Sequence, residues 1–334
     1  MSDKLRVGVV GVGHFGKNHA RVYSELPDVT LVGVADVDGG RALAAAEACR
    51  TRAFADWQEL AGEVDAVSVA VPTADHARVA CGLLRRGVSV LVEKPMAATL
   101  RDARRMQAAA KKSRATLQVG HILRFTPAIV AVREMNVVPK FVEVHRLTPF
   151  SFRSLDVGVV LDLMIHDIDL VLELARGRVR RVDAVGGALV GATEDICNAR
   201  ITFDDGCVAN LTASRVAMKT MRKVRIFSPQ GYISLDFDQK YALLIGKSPD
   251  FSLEKLDVEA LKRSSMDDIR ALMLDMFFTV REMDLEGEEP LKAELKSFVE
   301  CVRTGAEPLV PGDDGIRSLE TAERILKAVR AHHW

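Results

Sequence analysis

The fold is decided by residues 5–38, which read LRVGVVGVGHFGKNHARVYSELPDVTLVGVADVD. An apolar, strand-like run from Leu5 to Val10 leads directly into Gly11-Val12-Gly13-His14-Phe15-Gly16, and a helical pattern follows to Leu26. A second strand-like run, from Val29 to Ala35, ends at Asp36. Strand, Gly-x-Gly-x-x-Gly, helix, strand and acidic residue stand in the order of a βαβ unit that binds a dinucleotide.

The glycine motif explains how such a ligand would be held. Gly11 permits a tight turn, Gly13 lets the backbone approach a pyrophosphate, and Gly16 lets the helix pack closely on the strand. The N-terminus of the helix offers N–H groups and the positive end of its dipole to the phosphates. Three glycines can also serve only a tight turn, but the flanking strand, helix and acid favour the dinucleotide. We therefore predict a cofactor site that includes Gly11, Gly13, His14, Phe15 and Gly16.

The acidic residue after the second strand indicates which dinucleotide is bound. Asp36 would accept hydrogen bonds from the adenosine ribose hydroxyls and would repel a 2′-phosphate. This favours NAD over NADP as the cofactor. Arg41 lies beyond the second strand and could contact a 2′-phosphate, so the sequence leaves NADP open.

The composition of the chain limits its partners and its compartment. Its 334 residues include 46 Lys and Arg and 46 Asp and Glu, so no overall charge favours nucleic acid or an anionic membrane. No apolar run reaches the ~18 residues of a membrane span, and no basic region precedes a cleavable apolar segment. The cysteines are odd in number and lack metal-ligand spacing: Cys49, Cys81, Cys197, Cys207 and Cys301. We expect a cytoplasmic protein of two domains, with no metal site.

Strands and helices alternate along the first part of the chain. This alternation predicts a Rossmann domain, a doubly wound parallel sheet, over residues 1–122. In such sheets ligands bind beyond the carboxyl ends of the strands. The segments that follow strands should therefore meet on one edge: Gly11–Gly16, Asp36, Pro72–His76, Glu93–Pro95 and Gly120–Arg124. Among them we predict further cofactor contacts by Pro72, Thr73, His76, Glu93, Lys94, Pro95 and Arg124.

Lys94 stands between a strand end and a proline. A lysine at such a place is commonly a solvated surface charge. On the edge that binds a cofactor, however, an ammonium group can stabilise an alkoxide or a carbonyl oxygen. The position by itself leaves both interpretations open.

From Phe125 onward the alternation stops, and residues 123–334 predict an α+β domain. Strand-like runs flank the turns Asp204-Asp205-Gly206 and Pro229-Gln230-Gly231, which predicts a large, open, mainly antiparallel sheet. Residues 291–303 and 313–330 are predicted to form closing helices. Residues 250–256 are ambiguous, and residues 282–289 read as a solvated acidic loop.

A helix predicted over residues 157–175 carries four polar residues in an apolar background. Asp162, His166, Asp169 and Glu173 are spaced i, i+4, i+7 and i+11, which places them on one stripe. The stripe could simply face water. Alternatively, Asp162 could orient His166 as a general base, since the two are one turn apart. Asp167 should point away from this stripe.

With these motifs together, the chain resembles the Gfo/Idh/MocA oxidoreductase family. The resemblance rests on Gly11–Gly16, Glu93-Lys94-Pro95 and Asp162-x-x-x-His166, and it extends to Pro311-Gly312-Asp313-Asp314-Gly315. It implies a Rossmann domain followed by a domain with a large open sheet, often packed against another subunit in a homodimer or homotetramer. It also implies NAD(P)-dependent oxidation or reduction of a sugar or cyclitol carbon.

The motif match implies roles for single residues. Lys94, Asp162 and His166 correspond to the catalytic group of the family. Residues 72–76 correspond to a turn that contacts the cofactor, although Thr73 replaces the Asn that is common there in relatives.

A finer resemblance points to the UDP-N-acetylglucosamine 3-dehydrogenase branch. It rests on four segments: QVGHILRFTP (118–127), HRLTPF (145–150), LDLMIHD (161–167) and NLTASR (210–215). Such enzymes make a 3-keto nucleotide sugar, which a partner aminotransferase converts to the 3-amino sugar used in lipid A.

The implied mechanism assigns a step to each catalytic residue. His166 removes the proton of the sugar 3-hydroxyl, Lys94 stabilises the alkoxide, and Asp162 orients the base. Weaker candidates for substrate or cofactor contacts are Arg124, His145 and Arg215, each of which could equally be structural. Two alternatives stay open: another sugar or cyclitol dehydrogenase of the family, and a non-catalytic NAD-binding sensor of sugar metabolites.

Overall fold

The structure, a computed structural model, describes residues 4–151, 157–247, 265, 278–282 and 286–332. The chain divides into two compact units, one of residues 1–126 and 288–323 and the other of residues 127–287 and 324–334. The ambiguous stretch at residues 250–256 lies outside the described residues, and so does part of the acidic loop at residues 282–289.

The first unit is built on a parallel sheet of six strands. They are β1 Leu5–Val10, β2 Val29–Ala35, β3 Arg52–Phe54, β4 Ala66–Val69, β5 Ser89–Glu93 and β6 Leu117–Gly120, in the order β3-β2-β1-β4-β5-β6. The connecting helices are α1 Gly16–Glu25, α2 Gly39–Cys49, α3 Trp57–Leu60, α4 Thr73–Leu84 and α5 Leu100–Ser113. The strands are apolar and largely buried, as expected for a parallel sheet covered on both faces. The predicted doubly wound sheet is confirmed.

Polar side chains begin three of these helices. The side chains of Asp38, Asp56 and Thr99 accept hydrogen bonds from N–H groups in the first turns of α2, α3 and α5. Each satisfies a donor that has no partner within its own helix. The helices therefore start just beyond the strand ends, which leaves those ends accessible to a ligand.

The second unit is built on a sheet of eight strands. They are β7 Phe141–Leu147, β8 Val179–Gly187, β9 Ile196–Phe203, β10 Val208–Ser214, β11 Met221–Ser228, β12 Gly231–Asp236, β13 Tyr241–Lys247 and β14 Phe278–Glu282. Their order is β14-β13-β12-β11-β7-β10-β9-β8. Only the pair β7–β10 is parallel among the described pairs of this sheet. The prediction of a large, mainly antiparallel sheet is confirmed.

Side chains alternate in exposure along the central strands of this sheet. In β7, Val142, Val144 and Arg146 are buried, whereas the residues between them are half-buried. In β10, Ala209, Leu211 and Ala213 are fully buried. A period of two places one set of side chains in a core and the other set on the opposite face.

Two helices of the second unit are α6 Pro127–Glu134 and α7 Ile165–Leu174. A π-helical turn, Val160–Met164, precedes α7. The predicted regular helix over residues 157–175 is therefore wrong in its first part, because the π turn holds an extra residue and shifts the register of Asp162 against His166. The idea of one solvated stripe is also wrong, since Asp169 is only 1% exposed.

The last two helices are α8 Pro290–Thr304 and α9 Gly312–Ala331. The division of the chain differs here from residues 1–122 and 123–334, because α8 and residues 123–126 belong to the first unit. Leu295, Phe298 and Val299 of α8 are buried in the same core cluster as Val7 and Tyr23. This helix therefore completes the core beside α1.

Candidate active site

The glycine loop after β1 is shaped by contacts that exclude larger side chains. Gly11 has φ +85°, and a Cβ there would lie 2.7 Å from the backbone of Ala70. A Cβ on Gly16 would overlap the carbonyl oxygen of Gly11. A Cβ on Gly13, by contrast, would meet no protein atom within 4 Å. The protein thus leaves open space at Gly13, where the predicted pyrophosphate would lie, and the loop fits a dinucleotide.

Asp36 fixes this loop to the end of β2. Its Oδ2 accepts a hydrogen bond from the N–H of Val12 at 2.8 Å, and its Oδ1 accepts one from the N–H of Asp38 at 2.9 Å. The carboxylate is half-buried and keeps lone pairs for further donors. Its place at the end of β2 is the one that the adenosine ribose requires.

A cavity of about 330 Å³ opens beside Asp36 and is lined by Gly11, Gly13 and Pro72 among others. Trp57 and Arg78 also line it, and the sequence reasoning missed both. Trp57 follows the carboxyl end of β3, so strand order could have pointed to it. The size and position of the cavity fit the adenosine part of the cofactor.

Both arginines that line this cavity have acidic partners. Arg41 pairs with Asp38 at 3.2 Å, and Arg78 pairs with Asp75 at 2.9 Å. Asp75 itself lines the cavity, as does Asp36. Each cation is thus offset by a carboxylate before any ligand enters.

The predicted contacts His14, Phe15 and Thr73 lie where the sequence suggested. His14 and Phe15 are exposed in the loop before α1, with their rings 5.2 Å apart. Thr73 is the first residue of α4, directly after Pro72.

Glu93 ends β5 and anchors the segment that carries Lys94. Its Oε1 lies 2.9 Å from Nε2 of His19, and its Oε2 accepts a hydrogen bond from the N–H of Lys94 at 3.3 Å. The peptide between Lys94 and Pro95 is cis. Burial alone would raise the pKa of Glu93, but the hydrogen bond and charge of His19 lower it. His19 is 1% exposed and was missed from the sequence, although it lies one turn into α1.

A second carboxyl group lies buried next to Glu93. Glu294 of α8 is 0% exposed, and neither of its carboxyl oxygens has a hydrogen-bond partner among the described residues. Burial and the charge of Glu93 raise the pKa of Glu294 well above its usual value. The two carboxyl groups thus have pKa values that are shifted in opposite directions.

His76 connects two of the predicted loops from within the protein. It is 1% exposed, and its ring nitrogens lie 3.1 Å from the carbonyl oxygen of Pro95 and 2.9 Å from that of Val71. Burial lowers the pKa of His76, and the two carbonyl oxygens oppose this shift. The structure gives His76 a supporting contact to the Lys94–Pro95 segment.

Arg124 is likewise buried. Its Nη1 donates to the carbonyl oxygen of Leu309 and pairs with Asp314 at 2.9 Å. This contact fixes the segment at residues 311–315 to the end of β6. The predicted contact of Arg124 with the cofactor stays a prediction beside these contacts to Leu309 and Asp314.

In the second unit, Asp162 lies on the π turn and His166 follows at the start of α7. Both are half-buried. Their neighbour Asp167 is 1% exposed and binds Arg146 of β7 through three hydrogen bonds of 2.6–3.1 Å. Asp167 therefore points away from the stripe, as predicted, and fastens α7 to the sheet.

His145 and Arg215 were the weaker candidates for substrate contact in the second unit. His145 alternates with buried Arg146, so it lies on the face of β7 opposite to the one that holds α7, 3.7 Å from Glu143. Arg215 is 5% exposed and pairs with Asp195 at 2.6 Å. Substrate contact by either residue stays a prediction, while the buried ion pair gives Arg215 a partner inside the protein.

Two further observations concern metals and membranes. Within the described ranges, no three His, Cys, Asp or Glu side chains are grouped to hold a metal ion. In the same part of the chain, no helix has the length and apolar character to cross a membrane. All five cysteines are free thiols.

Comparison with known proteins identifies the family. Residues 5–121 match the model of the oxidoreductase family GFO_IDH_MocA with its NAD-binding Rossmann fold, and residues 137–234 match the GFO/IDH/MocA C-terminal domain. The chain belongs to the Gfo/Idh/MocA family. It is an enzyme, an oxidoreductase acting on CH–OH groups with a cofactor of the NAD type, as predicted.

Relatives within the Gfo/Idh/MocA family are named for different substrates. UDP-N-acetylglucosamine 3-dehydrogenase of Acidithiobacillus ferrooxidans is 42% identical over 234 residues, which cover 70% of this chain and 74% of that protein. Inositol 2-dehydrogenase of Rhizobium meliloti is 28% identical over 97% of both chains. A solved structure of the A. ferrooxidans enzyme, GnnA, matches with a TM-score of 0.87 and 34% identity over 98% of both chains.

Proposed function

We propose that this enzyme is an NAD-dependent dehydrogenase that oxidises the 3-hydroxyl of UDP-N-acetylglucosamine to the 3-keto sugar. The observation that carries the proposal is the similarity to the A. ferrooxidans enzyme, at 42% identity in sequence and a TM-score of 0.87 in structure. The retained Lys94, Asp162 and His166 support turnover, since a protein that only binds NAD has no need of a base.

The chemistry divides among the residues as follows. When bound, the nicotinamide ring supplies the hydride acceptor for C3 of the sugar. A ring nitrogen of His166 accepts the proton of the 3-hydroxyl oxygen, and the Asp162 carboxylate orients the ring and balances its positive charge. The ammonium group of Lys94 stabilises the negative charge that develops on that oxygen.

The preference for NAD over NADP is part of the proposal. Asp36 and Asp75 both line the cavity, where a 2′-phosphate would meet negative charge. Arg41 and Arg78, which could have balanced that phosphate, already pair with Asp38 and Asp75.

We also propose a homodimer or homotetramer. An aromatic row crosses three neighbouring strands of the second sheet: Phe141 lies 5.6 Å from Phe227, which lies 4.8 Å from Tyr232. Phe227 is 39% exposed, and exposed aromatic surface that is grouped in this way is typical of a protein–protein interface. We expect a cytoplasmic enzyme whose keto product passes to an aminotransferase in the synthesis of a 3-amino sugar of the lipid A type.

The test is NADH formation by the purified protein with NAD and UDP-N-acetylglucosamine, in parallel with UDP-glucose, a UDP-uronate and myo-inositol. An added aminotransferase draws off the keto product, because oxidation of an alcohol by NAD is uphill near neutral pH. Selective turnover of UDP-N-acetylglucosamine supports the proposal. Turnover of myo-inositol would instead favour the activity of the R. meliloti relative, and silence with measurable NAD binding would favour a sensor.

A further inference from the structure

The helix that carries Asp162 and His166 begins against a residue distant in sequence. The N–H of Val159 donates to the carbonyl oxygen of Glu194 at 3.0 Å, and the N–H of Val160 donates to its Oε1 at 3.2 Å. The first N–H groups of a helix have no partner within the helix. Glu194 supplies two acceptors to them, one of which carries negative charge at the positive end of the helix dipole.

A glycine makes room for this carboxylate. A Cβ on Gly158 would overlap the carboxylate of Glu194, at the far end of its side chain. Gly158 also belongs to the helix start, since its carbonyl oxygen accepts from the N–H of Asp162 at 3.0 Å. The absence of a side chain at residue 158 therefore lets Glu194 reach the helix.

An ion pair holds the Glu194 segment in place. Nε of Arg215 donates to Oδ1 of Asp195 at 2.6 Å, and the Nη2 donates to Oγ1 of Thr193 at 3.1 Å. The Nη1 donates to the carbonyl oxygen of Val157 at 2.7 Å. Arg215 thus binds the residues on both sides of Glu194 and the residue before the helix.

The partner of Arg215 is itself fixed by backbone groups. Oδ2 of Asp195 accepts hydrogen bonds from the N–H groups of Leu189, Val190 and Gly191 at 2.6–3.0 Å. Burial would raise the pKa of Asp195, but these bonds and Arg215 lower it well below its usual value. Asp195 stays ionised over the working range of an enzyme, so the ion pair is permanent.

We propose that Glu194 is a positioning residue for Asp162 and His166, held over Gly158 by the Asp195–Arg215 ion pair. The inference rests on the proposed roles of Asp162 and His166. Both follow within one or two turns of the hydrogen bonds to Glu194, and the intervening π turn is of a kind that is rare in helices and frequent at functional sites. Loss of the cap lets the helix start fray, which displaces Asp162 from His166.

Three variants test this role. Glu194→Ala removes the side-chain acceptor, Gly158→Ala displaces it without a change of charge, and Glu194→Gln keeps an amide oxygen for Val160. Glu134→Ala is the matched control, because Glu134 is an exposed glutamate at the end of α6 in the same unit.

We expect Glu194→Ala and Gly158→Ala to lower kcat about 10- to 100-fold, since misplacement of about 1 Å costs about that much. The Kd for NAD, which binds to the first unit, should stay within about twofold of that of the wild type. Glu194→Gln should retain kcat within about threefold, as rescue by the conservative variant. If the variants only reduced the amount of folded protein, turnover and NAD binding would fall together, and Glu194→Gln would not restore them.

Hydrogen exchange gives a readout that needs no turnover. Peptides that cover residues 157–166 should exchange faster in Glu194→Ala and Gly158→Ala than in Glu194→Gln and the control. Unchanged exchange and unchanged kcat in Glu194→Ala would overturn the inference, as would equal loss in Glu194→Gln. Failure of the proposed function has a different signature: the wild type would then form no NADH with UDP-N-acetylglucosamine, whatever the exchange at residues 157–166.

Discussion

Exchange of Asp167 for asparagine keeps the size of the side chain and removes one charge of a buried ion pair. Its partner Arg146 donates three hydrogen bonds to the carboxylate, and the two side chains are 1% and 9% exposed. Burial would lower the pKa of Arg146, but Asp167 raises it in the wild type. In the variant the guanidinium still stays charged, because arginine is not deprotonated in proteins. The variant therefore leaves a buried cation without its counter-charge.

Breaking a buried pair in this way costs about 3–5 kcal/mol. The amide oxygen of asparagine still accepts one hydrogen bond and leaves no cavity, so we expect the lower end, about 3 kcal/mol. For a unit of this size, each kcal/mol lowers the unfolding temperature by about 2–4 °C, which gives a shift of about 6–12 °C. Differential scanning calorimetry of the full chain measures this shift.

The control is Asp183→Asn in the same unit. Asp183 pairs with Arg181 at 2.7 Å, but the two side chains are 48% and 72% exposed. An exposed pair of this kind contributes about 0–1 kcal/mol, so its loss should move the transition by no more than about 2–4 °C. Equal shifts for Asp167→Asn and Asp183→Asn would refute the reasoning that burial makes the Arg146 pair strong.

The remaining predictions concern three residues of the first unit and the proposed base His166 of the second. Glu294 has a pKa raised in the folded state, so its contribution to stability is full below pH ~4.5 and falls as pH rises. Above that pH, the free energy of unfolding of Glu294→Gln should rise relative to that of the wild type by up to about 1.4 kcal/mol per pH unit. Urea unfolding measures this difference, and a difference that does not change with pH would contradict the prediction. Gly13→Ala should leave the unfolding temperature within about 2 °C but weaken NAD binding at least about tenfold by calorimetric titration, because its Cβ meets only the space of the ligand. Asp36→Ala should weaken NAD binding about 10- to 100-fold through loss of charge-assisted hydrogen bonds and raise the ratio of NADP to NAD affinity; an unchanged ratio would remove Asp36 from cofactor selection. His166→Ala should abolish NADH formation and leave the Kd for NAD nearly unchanged, and unaltered turnover would exclude it as the base.

Local sequence patterns predicted the parts of the fold that depend on local physics. The glycine loop and Asp36 follow directly from strand–turn–helix order, and the turns at residues 204–206 and 229–231 indicate antiparallel neighbours. The face of His145 was also readable, because the period of two in β7 separates it from buried Arg146.

The missed features depend on partners far away in the chain. Arg215 donates hydrogen bonds to Asp195 and Val157. Glu294 comes near Glu93 only when α8 packs in the first unit. The π turn at residues 160–164 interrupts the regular helix, and no periodicity in residues 157–175 reveals it. The parallel pairing of β7 with β10 joins strands that are some sixty residues apart, and sequence order cannot specify it.

The placement of α8 has a consequence for how the protein is made. The six strands of the cofactor unit emerge from the ribosome within the first 126 residues, yet Leu295, Phe298 and Val299 arrive only after residues 127–287 of the second unit have been synthesised. Until then, the apolar surface that they cover beside α1 stays exposed to water and to other nascent chains. The core of the cofactor unit can therefore close only after residue 299 has been synthesised, although its strands come first in the sequence.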